Sequence, residues 1–306
     1  MNPFVFSASV ETALREQRPM VALESTVITH GLGWPHNLET ARRIEQVIVD
    51  EQAQPATIAV LAGRVTVGLD DAQLIALAQD TAVRKCSIRD LGIVVGMHLN
   101  GSTTVAATMF IAQHSGIGVF ATGGIGGVHR GHPYDVSTDL TELSRTAVTV
   151  VCSGPKALLD LSLTFEHLET LGVPIIGYQT DMIPAFYTRS SGIPADICAE
   201  SPADVAKIVQ AHRALGLPGG ELLCVPVPRE DELPQQMVDQ AITEAHQLAA
   251  AQGIHGAATT PFLLSQIARL TQGASVRANI SLLLNNARVA AQVANELSLH
   301  GFAERD

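Results

Sequence analysis

Three continuous apolar runs give the clearest indication of the fold: IGVFATGG at residues 117–124, AVTVVCSG at 147–154 and VPIIGYQ at 173–179. Strands that are buried on both faces of a sheet have this composition, because helices cover each face and no side chain has to reach water. Helical patterns lie between and after the three runs. Because alternating strands and helices are typical of mostly parallel sheets, the sequence predicts an α/β fold.

The chain upstream of these runs continues the alternation. MVALEST (20–26) predicts a strand, and LETARRIEQVIVDEQ after it predicts a helix. Two β-rich runs in PATIAVLAGRVTVGL (55–69) flank Ala-Gly-Arg and predict a hairpin. Further helices are predicted in DAQLIALAQ, which Asp70 should cap, in SIRDLGIVVGMHL and in STTVAATMFIAQHSG.

The chain downstream of the three runs is rich in helical patterns. The predicted elements are the helix ADVAKIVQAHRALGL, the strand ELLCVPVP, and the helices LPQQMVDQAITEAHQLAAAQG and RANISLLLNNARVAAQVANELSL. No internal repeat and no Pro- or Ser-rich linker interrupts the sequence. We therefore expect a single domain over residues 1–306, with a central, mostly buried β-sheet, helices on both faces and a helix-rich C-terminal end.

The composition excludes several classes of protein. With 46% hydrophobic and 16% charged residues, against a usual charged share of ~25%, the chain can bury a large core and is not disordered. The net charge of −11 comes without a basic stripe, so no nucleic-acid partner is expected. No apolar run reaches the ~18 residues of a membrane span, and no basic segment precedes an apolar one at the start.

A cytoplasmic location is the remaining expectation. The four cysteines are widely spaced and form no Cys-x-x-Cys pair, which fits reduced thiols better than a disulfide framework or a local metal site.

Lysine is unusually scarce in this chain. Of the 19 basic residues only Lys85, Lys156 and Lys207 are lysines. An ε-amine can lose its proton and attack a carbonyl carbon, whereas a guanidinium group cannot. A position that remains lysine is therefore a candidate for chemistry that arginine cannot perform.

Polar groups follow several of the predicted strands directly. They include Glu24 after VAL, Thr122 after VFA, and Ser153-Gly-Pro-Lys156 after VVC. Function in α/β folds lies in the loops after strand ends. If the sheet brings these ends together, a carboxylate, a Gly-rich turn and an amine face one crevice.

TGGIGGVHRG (122–131) is the most Gly-rich segment. Its glycines allow backbone N–H groups to turn toward an anion, which favours a phosphate site, but its spacing fits neither a dinucleotide fingerprint nor a P-loop. A plain tight loop is the equal alternative. His129 is kept as a candidate because it lies in this loop.

The two candidate lysines have different expected roles. Lys156 opens KALLDLSL and should lie at a helix start, where the positive end of the helix dipole disfavours its charge and suits a nucleophilic amine. The alternative is a side chain that simply reaches solvent. Lys85 could stay charged and hold a phosphate, or be an ordinary loop charge.

Carboxylates provide the remaining candidates. Glu24 ends an apolar strand, so it is either paired structurally or adapted for acid chemistry. Asp135, Ser137 and Asp139 resemble an N-cap cluster in which Ser137 or Thr138 caps a helix. One of these carboxylates could instead hold a hard cation.

Blocks along most of the chain together resemble the pseudouridine-5'-phosphate glycosidases, also called the indigoidine-synthase-A-like family. The resemblance runs from about residue 10 to about residue 298. Several blocks in the right order and spacing make it specific. They are ALESTVITHGLGWPHN, PATIAVLAGRVTVGL, STTVAATM, FATGGIGGVHRG, DVSTDLTEL, SGPKALLD, PAFYTRSSG, TPFLLSQ and ANISLLLNNA.

The resemblance implies an activity. Pseudouridine 5'-phosphate and water would give uracil and ribose 5-phosphate in a reversible reaction that breaks a C–C glycosidic bond. Since a uracil carbon leaves less readily than a glycosidic oxygen, the family is understood to open the ribose ring and to form a lysine Schiff base. A homotrimer is implied as well.

The resemblance also implies roles for individual residues. Glu24 is similar to the general acid that protonates the ribose ring oxygen, and Lys156 to the nucleophile that adds at C1'. Asp135 resembles the residue that binds a divalent cation, typically Mn²⁺. Uracil contacts are expected at His129 and at either Asn279 or the Asn285-Asn286 pair. The remaining substrate contacts implied are Lys85, Thr104, Val105, Thr122, Ser137, Thr138 and Asp139.

Two alternatives remain open at this point. Another Schiff-base enzyme acting on a sugar phosphate, a lyase or transferase, would use the same lysine with a different leaving group. A non-catalytic sugar-phosphate sensor would bind ribose 5-phosphate and form no imine.

Overall fold

A computed structural model describes residues 3–254 and 259–299. Its strands are β1 (Phe4–Phe6), β2 (Met20–Leu23), β3 (Gln54–Leu61), β4 (Arg64–Val67), β5 (Arg84–Cys86), β6 (Gly101–Thr103), β7 (Val119–Ala121), β8 (Val128–His129), β9 (His132–Val136), β10 (Thr149–Cys152), β11 (Leu159–Asp160), β12 (Ile175–Tyr178), β13 (Ile197–Ala199) and β14 (Leu222–Cys224).

The helices alternate with these strands and become dominant toward the C-terminus. They are α1 (Ala8–Arg15), α2 (His36–Asp50), α3 (Asp71–Gln79), α4 (Ile88–Gly96), α5 (Val105–His114), α6 (Thr138–Leu143), α7 (Leu161–Thr170), α8 (Pro202–Ala214), α9 (Gln235–Ala251), α10 (Thr259–Leu270) and α11 (Ala274–Leu299). A π-helical turn spans Val27–Gly31, and a 3₁₀ turn spans Arg229–Asp231.

The main sheet is mostly parallel. Its central strands lie side by side in the order β3, β2, β7, β10, β14, β12 and β13, and all of them run in the same direction. On the far side of β3 the hairpin partner β4 runs antiparallel and β1 completes that edge. β6 also pairs antiparallel with β3, and β5 joins β6. A small antiparallel sheet is formed by β11, β8 and β9.

Both faces of the sheet are buried, which explains the continuous apolar runs. Along β10, Val151 packs into one hydrophobic cluster with α2, α8, α9 and α11, whereas Val150 and Cys152 pack into a second cluster with α5, α6 and α7. Successive side chains of a strand point to opposite faces, so a central strand such as β10 contributes to both clusters. The predicted fold class, with helices on both faces and a helix-rich C-terminal end, is confirmed.

The strands predicted within the three apolar runs and the hairpin predicted at 55–69 form as expected. The helix predicted in STTVAATMFIAQHSG begins later than expected: Ser102 and Thr103 lie in β6, because Thr104 caps α5. Among the helices of the described residues, none is long and apolar enough to cross a membrane.

Candidate active site

Three neighbouring strands bring the predicted groups together. β2, β7 and β10 are adjacent and parallel, so their carboxyl ends meet at one edge of the sheet. Glu24 follows β2, Thr122 follows β7, and the turn from Ser153 to Lys156 follows β10. The sheet therefore assembles the carboxylate, the Gly-rich loop and the amine around one crevice, as the sequence predicted.

A cavity of about 520 Å³ opens at this edge of the sheet. Five predicted site residues line it: Glu24, Lys85, Thr122, Lys156 and Asn279. The other lining residues come from the π-helical turn, the Gly-rich loop, the loop after β12 and the C-terminal helices, and they are Thr26, Val27, His30, Gly31, Gly123, Gly124, Phe186, Thr260, Pro261, Leu264 and Leu283.

Glu24 is held in a fixed orientation by two hydroxyl groups. Thr122 Oγ1 donates to Glu24 Oε1 over 2.5 Å, and Thr26 Oγ1 donates to Glu24 Oε2. The residue is only 8% exposed, yet it lines the cavity. A buried carboxyl group that is hydrogen-bonded and faces a cavity can deliver a proton to a bound molecule.

Lys156 lies in a turn rather than at a helix start. Helix α7 begins only at Leu161, because the Asp160 side chain accepts from Leu163 N and caps it there. Before α7 the chain forms the short strand β11, in which Leu159 pairs with His129. The helix-dipole argument for this lysine was therefore wrong, although the side chain does reach the cavity.

The turn that carries Lys156 is fixed by neighbouring backbone and side chains. Lys156 N donates to Ile125 O over 3.0 Å. Arg130 donates to the carbonyl oxygens of Leu159 and Ala157, and His246 Nε2 lies 3.1 Å from Leu158 O. Lys156 thus projects from a rigid segment.

Lys85, on β5, also lines the cavity. Burial is the main cause that lowers its pKa, and the positive charge of Lys156 lowers it further, while Glu24 and Asp139 oppose the shift. In the β5–β6 register Lys85 lies beside Ser102, two residues before the Thr104 cap of α5. A cation and a helix N-terminus therefore lie close together, an arrangement that favours an anion.

Two half-buried histidines lie near the lysines. Burial lowers the pKa of His129, and Lys85 and Lys156 act in the same direction against the opposing charge of Asp135. Burial followed by Lys85 also lowers the pKa of His30, whose Nδ1 is 2.6 Å from Thr29 Oγ1. Both imidazoles are therefore biased toward the neutral form.

Asp139 joins two parts of the site. Its Oδ1 accepts from Ala106 N over 2.9 Å, and its Oδ2 accepts from Gly126 N over 2.8 Å. The side chain is buried and couples the first turn of α5 to the Gly-rich loop. Its hydrogen bonds are thus made to backbone groups of the protein.

The other predicted contacts near Asp139 are helix ends. Ser137 caps α6, as one of the two predicted alternatives required, and Thr138 Oγ1 lies 2.7 Å from Ser87 Oγ. Thr104 Oγ1 caps α5 through Ala107 N, and Val105 is the buried first residue of that helix. These residues surround the N-termini of α5 and α6.

The glycines of the loop at 122–131 are needed for close packing. A Cβ at Gly124 would stand 2.8 Å from the Phe186 ring and from Gly154 O. Gly154, in the facing turn, has a φ of +81°, which disfavours any side chain. Ile125 N donates to Gly154 O, so these two segments bind each other. Of the loop glycines, Gly123 and Gly124 line the cavity.

The tertiary structure distinguishes the three candidate asparagines on α11. Asn279 lines the cavity. Asn286 is fully buried and binds Thr122 O, whereas Asn285 Nδ2 donates to Pro226 O over 3.4 Å. Asn279 is thus the one of the three that can contact a molecule in the cavity.

Asp135 lies on β9 with its side chain exposed. Among residues 3–254 and 259–299, no group of three or more His, Cys, Asp or Glu side chains is arranged to hold a metal ion. A hard cation bound at Asp135 would therefore take most of its ligands from water, which Mg²⁺-like ions tolerate.

The sequence reasoning missed two residues of the cavity wall. His30 was not among the predicted site residues, although it lies within the ALESTVITHGLGWPHN block, four residues after Thr26. Phe186, in the PAFYTRSSG block, lies against the Gly-rich loop. A polar or aromatic residue next to a candidate catalytic block is the signal that could have identified both.

Comparisons with known proteins identify relatives along almost the whole chain. Two relatives, from Caldanaerobacter subterraneus subsp. tengcongensis and Geobacillus kaustophilus, are each named pseudouridine-5'-phosphate glycosidase. They are 48% and 49% identical to this chain over 301 residues, and the matches cover 97% of this chain and 98% and 100% of the relatives.

A solved structure of the prealnumycin C-glycosynthase AlnA in complex with ribulose 5-phosphate superposes with a TM-score of 0.90 at 39% identity, covering 97% of each chain. An indigoidine synthase A-like protein from Thermotoga maritima superposes with a TM-score of 0.88 at 32% identity, covering 97% of this chain and 98% of its own. The profile of the indigoidine synthase A-like proteins matches residues 9–296. The chain therefore belongs to the indigoidine synthase A-like family.

Proposed function

We propose that this protein is an enzyme that reversibly cleaves pseudouridine 5'-phosphate to uracil and ribose 5-phosphate. The observation that carries the proposal is that Glu24 and Lys156, an acid and an amine that follow the two strands on either side of β7, line one cavity. The relatives at 48–49% identity, which bear this activity as their name, support the substrate.

Glu24 would act first, as the acid that protonates the ribose ring oxygen. The hydroxyls of Thr26 and Thr122 hold both of its oxygens, so the carboxyl group cannot turn away from the cavity. As the ring C–O bond breaks, the oxygen takes the proton and becomes the hydroxyl group of an open-chain sugar.

Lys156 would then form the covalent bond. Its neutral amine adds to C1' and loses a proton. The bond between C1' and the uracil carbon breaks, that carbon takes up a proton, and the remaining C1'–N bond becomes a Schiff base. Water hydrolyses the Schiff base, which releases ribose 5-phosphate and regenerates the amine.

The two lysines of the cavity would have different roles, Lys85 in binding the phosphate group and Lys156 as the nucleophile. Lys85 stands beside the N-terminus of α5, where a phosphate group would meet both a cation and the positive end of the helix dipole. A phosphate anchor at Lys85 and a nucleophilic amine at Lys156 are what the reaction needs.

The uracil end would be held by side chains from two elements. Asn279 lines the cavity on α11, and an amide group can pair with the donor and acceptor edge of uracil. His129 is biased toward the neutral form, in which one ring nitrogen donates and the other accepts.

We also propose that Asp135 holds a divalent cation, with Mn²⁺ as the expected ion. An exposed carboxylate that interacts electrostatically with His129 supports this proposal. When bound, the cation would supply a positive charge for oxygen atoms of the substrate.

The proposed function is tested by incubating the purified protein with pseudouridine 5'-phosphate and measuring uracil and ribose 5-phosphate by chromatography. Equal amounts of both products are expected, and the reverse mixture should regenerate the nucleotide. Uridine 5'-phosphate, an N-glycoside, is the control. Binding of ribose 5-phosphate without turnover would favour the sensor alternative.

A second candidate is the synthesis of another C-glycoside. The structural similarity to a C-glycosynthase favours it, although that protein is 39% identical and the glycosidase relatives are 48–49% identical. Both activities share a sugar phosphate and differ in the partner of C1'. Competition of uracil against other aromatic acceptors, in the synthetic direction with ribose 5-phosphate, discriminates between them.

We also propose a homotrimer, which the family resemblance implies, and a cytoplasmic location, which the widely spaced cysteines favour. Size-exclusion chromatography with light scattering tests the oligomeric state, because a trimer has three times the mass of the 32.3 kDa chain.

A further inference from the structure

We infer that Asn286 is a positioning residue that sets the spacing between the acid and the amine of the site. The inference rests on the proposed function. Asn286 lies on α11 and is fully buried. It touches the ends of the two strands that carry Thr122 and Lys156, and it does not line the cavity as Asn279 does.

The side-chain amide of Asn286 binds both strand ends. Its Nδ2 donates to Thr122 O over 2.9 Å and, more weakly, to Gly123 O over 3.5 Å. The same amide exchanges hydrogen bonds with Ser153 Oγ, at 3.2 Å from Nδ2 and 3.3 Å from Oδ1. One side chain thus connects the end of β7 to the end of β10.

The orientation of this amide is determined by its neighbours. The carbonyl oxygens of Thr122 and Gly123 can only accept hydrogen bonds, so the NH₂ group of Asn286 must face them. The hydroxyl of Ser153 can both donate and accept, and it satisfies the rest of the amide. Replacing the NH₂ group by an oxygen would therefore remove the donor that the strand ends require.

The two strand ends lead directly to the catalytic groups. Thr122 Oγ1 binds Glu24, so the position of the Thr122 backbone fixes the acid. From Ser153 the chain runs to Lys156, and Lys156 N donates to Ile125 O of the facing segment. The hydrogen bonds of Asn286 join these two segments where each begins. They therefore set the distance between the acid and the amine.

Helix geometry explains how α11 can both line the cavity and bind the two strand ends. Asn279 and Asn286 are seven residues apart, which places them on the same face of α11 and about 10 Å apart along it. Asn279 lines the cavity, while Asn286 binds the ends of β7 and β10 beside it. Asn285 is rotated by about 100° from this face.

The test compares Asn286→Ala with Asn295→Ala in the full chain. Asn295, also on α11, donates to Glu51 O over 2.7 Å, so its variant removes the same kind of hydrogen bond far from the site. We expect Asn286→Ala to lower kcat for uracil release by ~10- to 100-fold, the cost of a small misplacement of catalytic groups. KM should change by less than about threefold, since substrate contacts remain. Asn295→Ala should keep the kcat of the wild-type protein.

Asn286→Asp supplies a readout that a purely structural role would not move. A protonated carboxyl group can donate to Thr122 O, as the amide does, but a carboxylate cannot. The ratio of its kcat to that of the wild-type protein should therefore rise as the pH falls. If Asn286→Ala does not fold, the pH dependence of Asn286→Asp tests the inference by itself. Melting temperatures measured in the same buffers show whether the Asn286→Asp protein stays folded.

Several results would overturn the inference. They are an equal loss of kcat in Asn295→Ala, a loss confined to KM in Asn286→Ala, and a pH-independent ratio in folded Asn286→Asp. An inactive wild-type protein would instead refute the proposed function, and this inference with it.

Discussion

Thr122 Oγ1 donates a hydrogen bond to Glu24 Oε1 over 2.5 Å, and this bond connects the ends of the neighbouring strands β7 and β2. A hydroxyl group at this position can hold either protonation state of the carboxyl group, because it can donate to the carboxylate or accept from the acid. The acid is therefore oriented before substrate binds.

Replacing Glu24 by glutamine should lower turnover of pseudouridine 5'-phosphate by ~10²-fold or more, because the amide keeps the shape and removes the acidic proton. Ribose 5-phosphate binding, measured by calorimetry, should be unchanged. Glu45→Gln is the matched control, since Glu45 also accepts from a threonine hydroxyl, that of Thr57, but lies on α2. Near-normal turnover in Glu24→Gln would refute the acid role.

Sodium borohydride added during incubation with ribose 5-phosphate should label Lys156. Reduction of the imine adds the mass of the sugar phosphate less one oxygen to a single tryptic peptide. Lys207, exposed and paired with Asp204, is the internal control and should stay unlabelled. Lys156→Arg should be inactive, because a guanidinium group cannot become a neutral nucleophile. Labelling at Lys85 instead would exchange the proposed roles of the two lysines.

Ribose 5-phosphate should bind more weakly as the pH rises through the pKa of Lys85. Burial and the charge of Lys156 lower that pKa, so the charged form that attracts phosphate is lost at a lower pH than in an ordinary lysine, whose pKa is ~10.4. Calorimetric titrations across the alkaline range measure this. In Lys85→Arg the arginine stays charged, and the alkaline loss of affinity should disappear. An equal alkaline loss of affinity in the wild-type protein and in Lys85→Arg would show that another group causes it.

Asp139→Asn should destabilise the protein by about 1–3 kcal/mol, because one amide NH₂ must then face a backbone N–H that has lost its acceptor. Thermal and urea unfolding measure the change. Asp160→Asn is the control: Asp160 caps α7 through Leu163 N, and asparagine is an equally good cap. Equal stabilities of the two variants would show that the bonds to Ala106 and Gly126 contribute little.

Exhaustive chelation should lower the activity, and Mn²⁺ should restore it, because an ion held by one carboxylate and water exchanges readily. Asp135→Asn should need a higher Mn²⁺ concentration for the same rate. Asp181→Asn, which alters another exposed carboxylate after a strand, should behave as the wild-type protein does. Full activity of the chelated protein would remove the metal from the proposal.

The sequence by itself determined the local structure. Continuous apolar runs form strands wherever both faces are covered, as Val150 and Val151 show by packing into opposite clusters. Asp70 caps α3 through Gln73 N, as its position before the helix predicted. The scarcity of lysine and the family blocks identified Lys156 and Glu24 as candidates, since these signals depend on residue type and order.

Only the tertiary structure decided how these groups meet. The order of β2, β7 and β10 follows from long-range strand pairing, which leaves no local pattern. Lys156 is in a turn because the residues after it pair with His129 across the small sheet. The rotation of α11 against the main sheet decides that Asn279 faces the cavity while Asn286 is buried at the strand ends, because a helix turns by about 100° per residue and only packing fixes which face is inside.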